Sequence, residues 1–135
     1  MKNAKHRTTG KTPLLKESRL QLLRLHKALL DIERADFEKA NGQITSGQFL
    51  NLLLNEESFQ WLRKFSTLIV DIDEMLDLDD GYSEETVEEH LSEMRKIVEA
   101  ETSDEEFNDK YRVFMEKDSE IAGKNKEIKT LLADR

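Results

Sequence analysis

Residues 12–42 read TPLLKESRLQLLRLHKALLDIERADFEKANG, and this stretch decides the fold. Thr12 is a candidate N-cap, and Pro13 suits the first helical position, where a missing N–H costs nothing. Asn41-Gly42 reads as the stop, because glycine takes the left-handed conformation that ends a helix. Between these signals Leu22, Leu25, Leu29 and Ile32 form one heptad stripe. Leu23, His26, Leu30, Glu33 and Phe37 form a second stripe beside it. Two adjacent stripes make an apolar face wide enough to meet two neighbouring helices.

The rest of the chain supplies those neighbours. Thr45 or Ser46 caps a short second helix through Phe49, Leu50 and Leu52 to Leu54. Asn55, followed by Glu56 and Glu57, reads as the N-cap of a helix over 56–78, with Leu62, Phe65, Ile69, Ile72 and Leu76 on its apolar stripe. Residues 77–82 form a polar loop, and Ser83 caps a helix carrying Val87, Leu91, Met94 and Val98. Ser103 and Glu106 match a capping box that opens a last helix through Phe107, Tyr111, Phe114, Ile121 and Ile128. Gly123 is a kink point, with fraying expected after about residue 123. The predicted fold is all-α: an up-and-down four-helix bundle with an extra short helix between the first and second long helices. Residues 1–12 read as a disordered basic arm and 13–135 as a single helical-bundle domain.

Charge is distributed unevenly along the 135 residues, whose formal net charge is −8. Residues 1–70 hold 12 Lys and Arg against 7 Asp and Glu, whereas residues 71–135 hold 9 against 22. The sharpest block is 71–109, with 17 acids and only Arg95 and Lys96. Either the two halves neutralise each other on folding, or the acidic half presents a face to a basic protein partner. The second reading places that face on Glu84, Glu85, Glu88, Glu89 and Glu93 of the fourth helix. The basic arm offers few firm charges and no aromatic residue for stacking, so nucleic acid is an unfavoured partner.

Chemistry is hard to assemble from these residues. Cysteine is absent, which removes disulfides, thiolate metal sites and cysteine nucleophiles together. The acidic loop fails the EF-hand register, since Gly81 at the sixth position puts Leu76 at the first and Val87 at the twelfth. A carboxylate-bridged di-metal site needs Glu-x-x-His, but Leu23 and Val87 stand three residues before His26 and His90. No phosphate-binding glycine loop or nucleophile elbow occurs. The expectation is a non-enzymatic protein with no cofactor and no metal. One polar cluster merits attention: His26 and Glu33 share a stripe, and Asp73 of the next long helix borders its apolar face. It reads either as a polar ladder bonded across the two helices or as a small-molecule or metal site. Arg24, Lys27, Arg34, Arg63 and Lys64 are candidate cations for Asp71, Asp73 and Glu74.

Four segments carry a resemblance. They are Leu25-His26-Lys27-x-Leu29-Leu30-Asp31-x-Glu33-Arg34, Gly47-Gln48-Phe49-Leu50-x-Leu52-Leu53-Leu54-Asn55, Trp61-Leu62-Arg63 and Leu68-Ile69-Val70-x-Ile72-Asp73-Glu74. Together, over Leu23 to Leu76, they resemble a group of short bacterial helical proteins with a domain of unknown function. The resemblance implies a bacterial, cytoplasmic, helical protein and no particular activity. Cytoplasm also agrees with the lack of cysteine and of any membrane-length apolar run.

Overall fold

A computed structural model describes residues 10–133, so most of the expected basic arm, residues 1–9, lies outside the described residues. The chain forms α1 (Thr12–Asn41), α2 (Ser46–Asn55), a 3₁₀ segment (Glu57–Leu62), α3 (Arg63–Leu76), α4 (Glu84–Val98), α5 (Glu105–Lys117) and α6 (Ser119–Ala133). No strand occurs among the described residues, and the all-α expectation holds. None of their helices is long and apolar enough to cross a membrane.

Local signals set several of these ends. Gly42, at φ 87°, terminates α1 and donates its N–H to the Glu38 carbonyl. Thr45 and Gln48 form a reciprocal capping box at α2, each side chain accepting from the other's backbone N–H. The Ser83 hydroxyl accepts from the Thr86 N–H at the start of α4. At the other end of α4, Ala100 donates to the Ile97 carbonyl and Glu101 to the Lys96 carbonyl, a Schellman pair. That pair puts Ala100 at φ 54°, in the left-handed region.

Four expected boundaries differ. Thr12 is not the cap of α1: it is the first helical residue and is buried, and Lys11 precedes it with no side-chain cap. The backbone N–H of Lys11 itself donates to Glu84 of α4 at 2.8 Å. Asn55 closes α2 rather than opening the next helix, and a 3₁₀ segment intervenes. Its three-residue turn stacks Phe59 above Leu62, both buried, in line with Phe65 of α3. Asp104, not Ser103, caps α5 by accepting the Phe107 N–H. The expected last helix is two helices. They divide at Asp118, whose carboxylate accepts the N–H groups of Glu120 and Ile121 at the start of α6.

Four helices form a closed set of contacts, α1 on α3, α3 on α4, α4 on α6 and α6 on α1, whereas α5, which lies between α4 and α6 in the chain, packs on α6 and on the 3₁₀ segment. The segment after Gly123, expected to fray, instead lies in α6, where Ile121, Asn125, Ile128 and Leu132 make a buried stripe. Indeed α1 packs more extensively on α6 than on α3. Leu22, Leu25, Leu29, Phe65, Leu91 and Ile128 are all fully buried where these helices meet. Within this core Tyr111 donates to Asn125 at 2.6 Å, and the Asn125 amide donates to the Val98 carbonyl at 3.0 Å. The chain of bonds ties α5, α6 and the end of α4 together and leaves no member of it unpaired. Burial pushes the Tyr111 hydroxyl far above its ordinary pKa, so it acts only as a neutral donor.

Candidate functional site

The residues picked out from α1 sit at heptad spacing, and each meets the antiparallel segment 61–73 at a different height. Glu33 accepts the Trp61 indole N–H at 2.9 Å. His26 stacks on Phe65, with ring centroids 5.9 Å apart and planes 19° from parallel. Asp73 receives two bonds from the Arg19 guanidinium, at 2.6 and 2.9 Å. Seven helical residues rise about 10 Å, so these contacts are rungs of a ladder rather than a convergent cluster. His26, Glu33 and Asp73 are therefore not brought to one point. Among the described residues, no three His, Cys, Asp or Glu side chains are placed to hold a metal ion.

The cation for Asp73 is Arg19, one heptad before His26, and none of the five expected from the sequence. Lys27 pairs with Asp31 on its own helix. Arg34 bonds Glu38 and the Ile44 carbonyl. Arg63 bonds the Leu54 carbonyl, and Lys64 pairs with Asp104. The common helical face of positions 19, 26 and 33 was the available signal. Half-burial against Phe65 pushes the His26 pKa below its ordinary value, because desolvation disfavours the imidazolium. Between α1 and α3 the contact is closed by leucines and Phe65.

The acidic face of α4 is divided by the fold. Glu84 sits over Gly10 and takes the Lys11 N–H, while Glu88 pairs with the Lys11 ammonium at 2.8 Å. A carboxylate at the N-terminus of α1 also complements its helix dipole. Gly10 is left-handed at φ 57°, a conformation that favours glycine, and the Glu84 carboxylate lies where a Cβ would point. Glu89 and Glu93 turn the other way, into a groove of about 750 Å³ between α3 and α4. His90, Asp71, Lys64 and Lys96 also line that groove. Glu85 lies exposed between the two sets.

Neutralisation between the halves is partial. Three ion pairs among the described residues cross from residues 1–70 to 71–135: Lys11–Glu88, Arg19–Asp73 and Lys64–Asp104. Three more acids of the 71–109 block pair within their own half, namely Glu93, Glu99 and Asp109. The remaining carboxylates of that block, including Asp71, Glu85, Glu89 and those of the α3–α4 loop, form no ion pair among the described residues.

Comparison with family models gives no match. Comparisons with curated proteins and with solved structures give no significant match either.

Proposed function

We propose that this protein acts through protein–protein contact, with α4 and the loop before it meeting a basic surface of its partner. One observation carries the reading. Residues 71–109 hold 17 carboxylates, of which six, Asp73, Glu88, Glu93, Glu99, Asp104 and Asp109, are paired with a cation among the described residues. Like charges at helical spacing repel by a few tenths of a kcal/mol per pair, so the field has a cost in stability. Such a field speeds encounter with an opposite surface, and salt screens it over about 8–10 Å. The reading includes the cytoplasmic, bacterial setting that the resemblance implies, and the up-and-down order of α1, α3, α4 and α6 as a rigid support for the face.

The test spares Glu84 and Glu88, because they hold Lys11. Glu85→Lys with Glu89→Lys reverses the free charges alone. The wild-type chain, used as bait in a bacterial lysate, should retain a basic protein at about 50 mM salt and release it by about 500 mM. The double variant should retain several-fold less while keeping its helical circular dichroism. Retention that ignores both salt and the double reversal would leave the acidic face as solvated surface only.

A further inference from the structure

Asn41-Gly42 is the one place in this chain where an asparagine precedes a glycine. The other asparagines precede Ala4, Leu52, Glu56, Asp109 or Lys126. The distinction bears on a reaction that needs no enzyme. The backbone nitrogen after an asparagine attacks the side-chain amide carbon and closes an imide ring. A side chain on the following residue crowds that approach, and glycine has none. Asp80-Gly81 has the same backbone freedom, but near neutral pH a carboxylate is a poor electrophile.

The fold exposes the Asn41-Gly42 peptide and restrains it only lightly. Residues 39–43 are all exposed, and a Cβ on Gly42 would meet nothing within 4 Å. The Gly42 N–H donates to the Glu38 carbonyl at 2.8 Å, and the Asn41 side-chain amide donates to the Phe37 carbonyl at 3.0 Å. The first bond engages the nucleophile, and the second turns the amide back along α1. Both must open before the nitrogen reaches the carbon. They belong to the last turn of a helix, and fraying ends open at the lowest free energy in a structure.

We infer that Asn41 is a site of spontaneous deamidation, reached by fraying of the last turn of α1, and that the modified chain holds α2 less firmly. The Gly42 nitrogen gives its proton to solvent base and bonds to the Asn41 side-chain carbon. The bond from that carbon to the amide nitrogen breaks, and ammonia leaves. Water then opens the imide at either carbonyl. One opening gives aspartate. The other gives isoaspartate, in which the main chain runs through the side-chain carbon and is one methylene longer. No redox change occurs: amide and water become carboxylate and ammonium.

Either product puts a carboxylate at the C-terminus of α1, where the helix dipole opposes it. Residues 40–55 otherwise hold no Asp, Glu, Lys or Arg. The altered link is short, since α2 begins at Ser46. Its register is set by Arg34, which donates to the Ile44 carbonyl at 2.7 Å, and by Glu38, which accepts the Ile44 N–H at 3.0 Å. An added methylene before Gly42 shifts Ile44 against both. Only Phe49 of α2 is buried, so the helix has little else to hold it.

Peptide mapping by mass spectrometry after incubation at mildly alkaline pH tests this. Conversion of amide to acid should appear first at Asn41, in the folded chain, and Asn41→Gln should abolish it, because glutamine would have to close a larger ring. Concentrated urea should speed the reaction about tenfold or more, the factor that two hydrogen bonds hold back. Subdenaturing urea should leave the rate nearly unchanged, since fraying exposes little surface. The deamidated pool, separated by anion exchange, should exchange the amide hydrogens of residues 46–55 several-fold faster than the parent. An unmodified Asn41 in the folded chain overturns the inference, as does earlier modification at another asparagine. So does a rate that climbs in step with the unfolded fraction, which would make global unfolding the route. Equal hydrogen exchange in the two forms overturns the loosening of α2.

Discussion

The indole N–H of Trp61 donates to the Glu33 carboxylate at 2.9 Å, joining the 3₁₀ segment to the third quarter of α1. Trp61 is 8% exposed and packs against Phe65, Phe107, Tyr111 and Phe114, so the bond orients the side chain on which the aromatic cluster converges. Glu33→Gln keeps an acceptor and should cost less than about 1 kcal/mol. Glu33→Leu strands a largely desolvated N–H and should cost about 1–3 kcal/mol. Denaturant melts followed by the emission of this single tryptophan measure both. Equal losses for Gln and Leu would mean that the hydrogen bond contributes nothing.

His26 should make the fold acid-sensitive below neutral pH. Its folded pKa is lowered by burial, so the folded chain binds fewer protons than the unfolded one just below 6.5. The stabilisation is complete above the unfolded pKa and declines as the pH falls through 6.5 toward the lower folded value. His26→Phe keeps an aromatic against Phe65 and removes the proton. The unfolding midpoint of the wild type should therefore fall more than that of the variant between about pH 7.5 and 5.5. Parallel pH profiles would rule His26 out as the source.

Ile128 of α6 should behave as a core residue. It is fully buried, and its helix is the main neighbour of α1. Ile128→Ala should cost about 2–5 kcal/mol, as should Leu29→Ala on α1. A frayed end would lose under about 0.5 kcal/mol at Ile128, the range of ordinary surface changes.

Ala100 holds a left-handed conformation at 1% exposure, fixed by the Schellman pair and by Arg112 donating to its carbonyl at 2.7 Å. Glycine would relieve about 1–2 kcal/mol of steric cost. It would also lose roughly 0.8 kcal/mol of methyl burial and about 0.5–1 kcal/mol in the unfolded chain. Ala100→Gly should therefore change stability by less than about 1 kcal/mol. Ala100→Val adds a β-branch to a tight, left-handed site and should cost more than about 2 kcal/mol. Thermal unfolding of both variants checks the order, and a tolerated valine would show that the turn is free to relax.

What could be read without the structure follows the range of the signal. Gly42, Thr45 and Ser83 act on groups within four residues of themselves, so the amino-acid order places these caps, up to the choice between Thr45 and Ser46 that the structure decides for Thr45. The first heptad stripe of α1 was legible for the same reason, with Leu22, Leu25 and Leu29 fully buried, as was the all-α class, whereas Leu23 of the second stripe faces outward. Other features depend on residues far apart in the chain. Thr12 is buried as the first residue of α1 rather than its cap, and the Lys11 N–H before it finds its acceptor in Glu84, more than seventy residues later. Asp73 met Arg19 rather than the cations named from the sequence, because the register of α1 on α3 sets which heptad position lies opposite. His26, Glu33 and Asp73 became separate rungs for that reason too. The break at Asp118 lies between these cases. Its cap is local, yet the expected break was at Gly123, which lies inside α6. Its consequence was not legible either: an apolar stripe in the order of residues shows that α6 must be covered, but only the packed structure shows that α1 covers it. An apolar stripe states a need for burial and does not name its partner, since hydrophobic burial has no direction. The acidic block shows the same limit: its charge is plain in the sequence, whereas which carboxylates stay unpaired was decided by where Lys11, Arg19 and Lys64 come to rest.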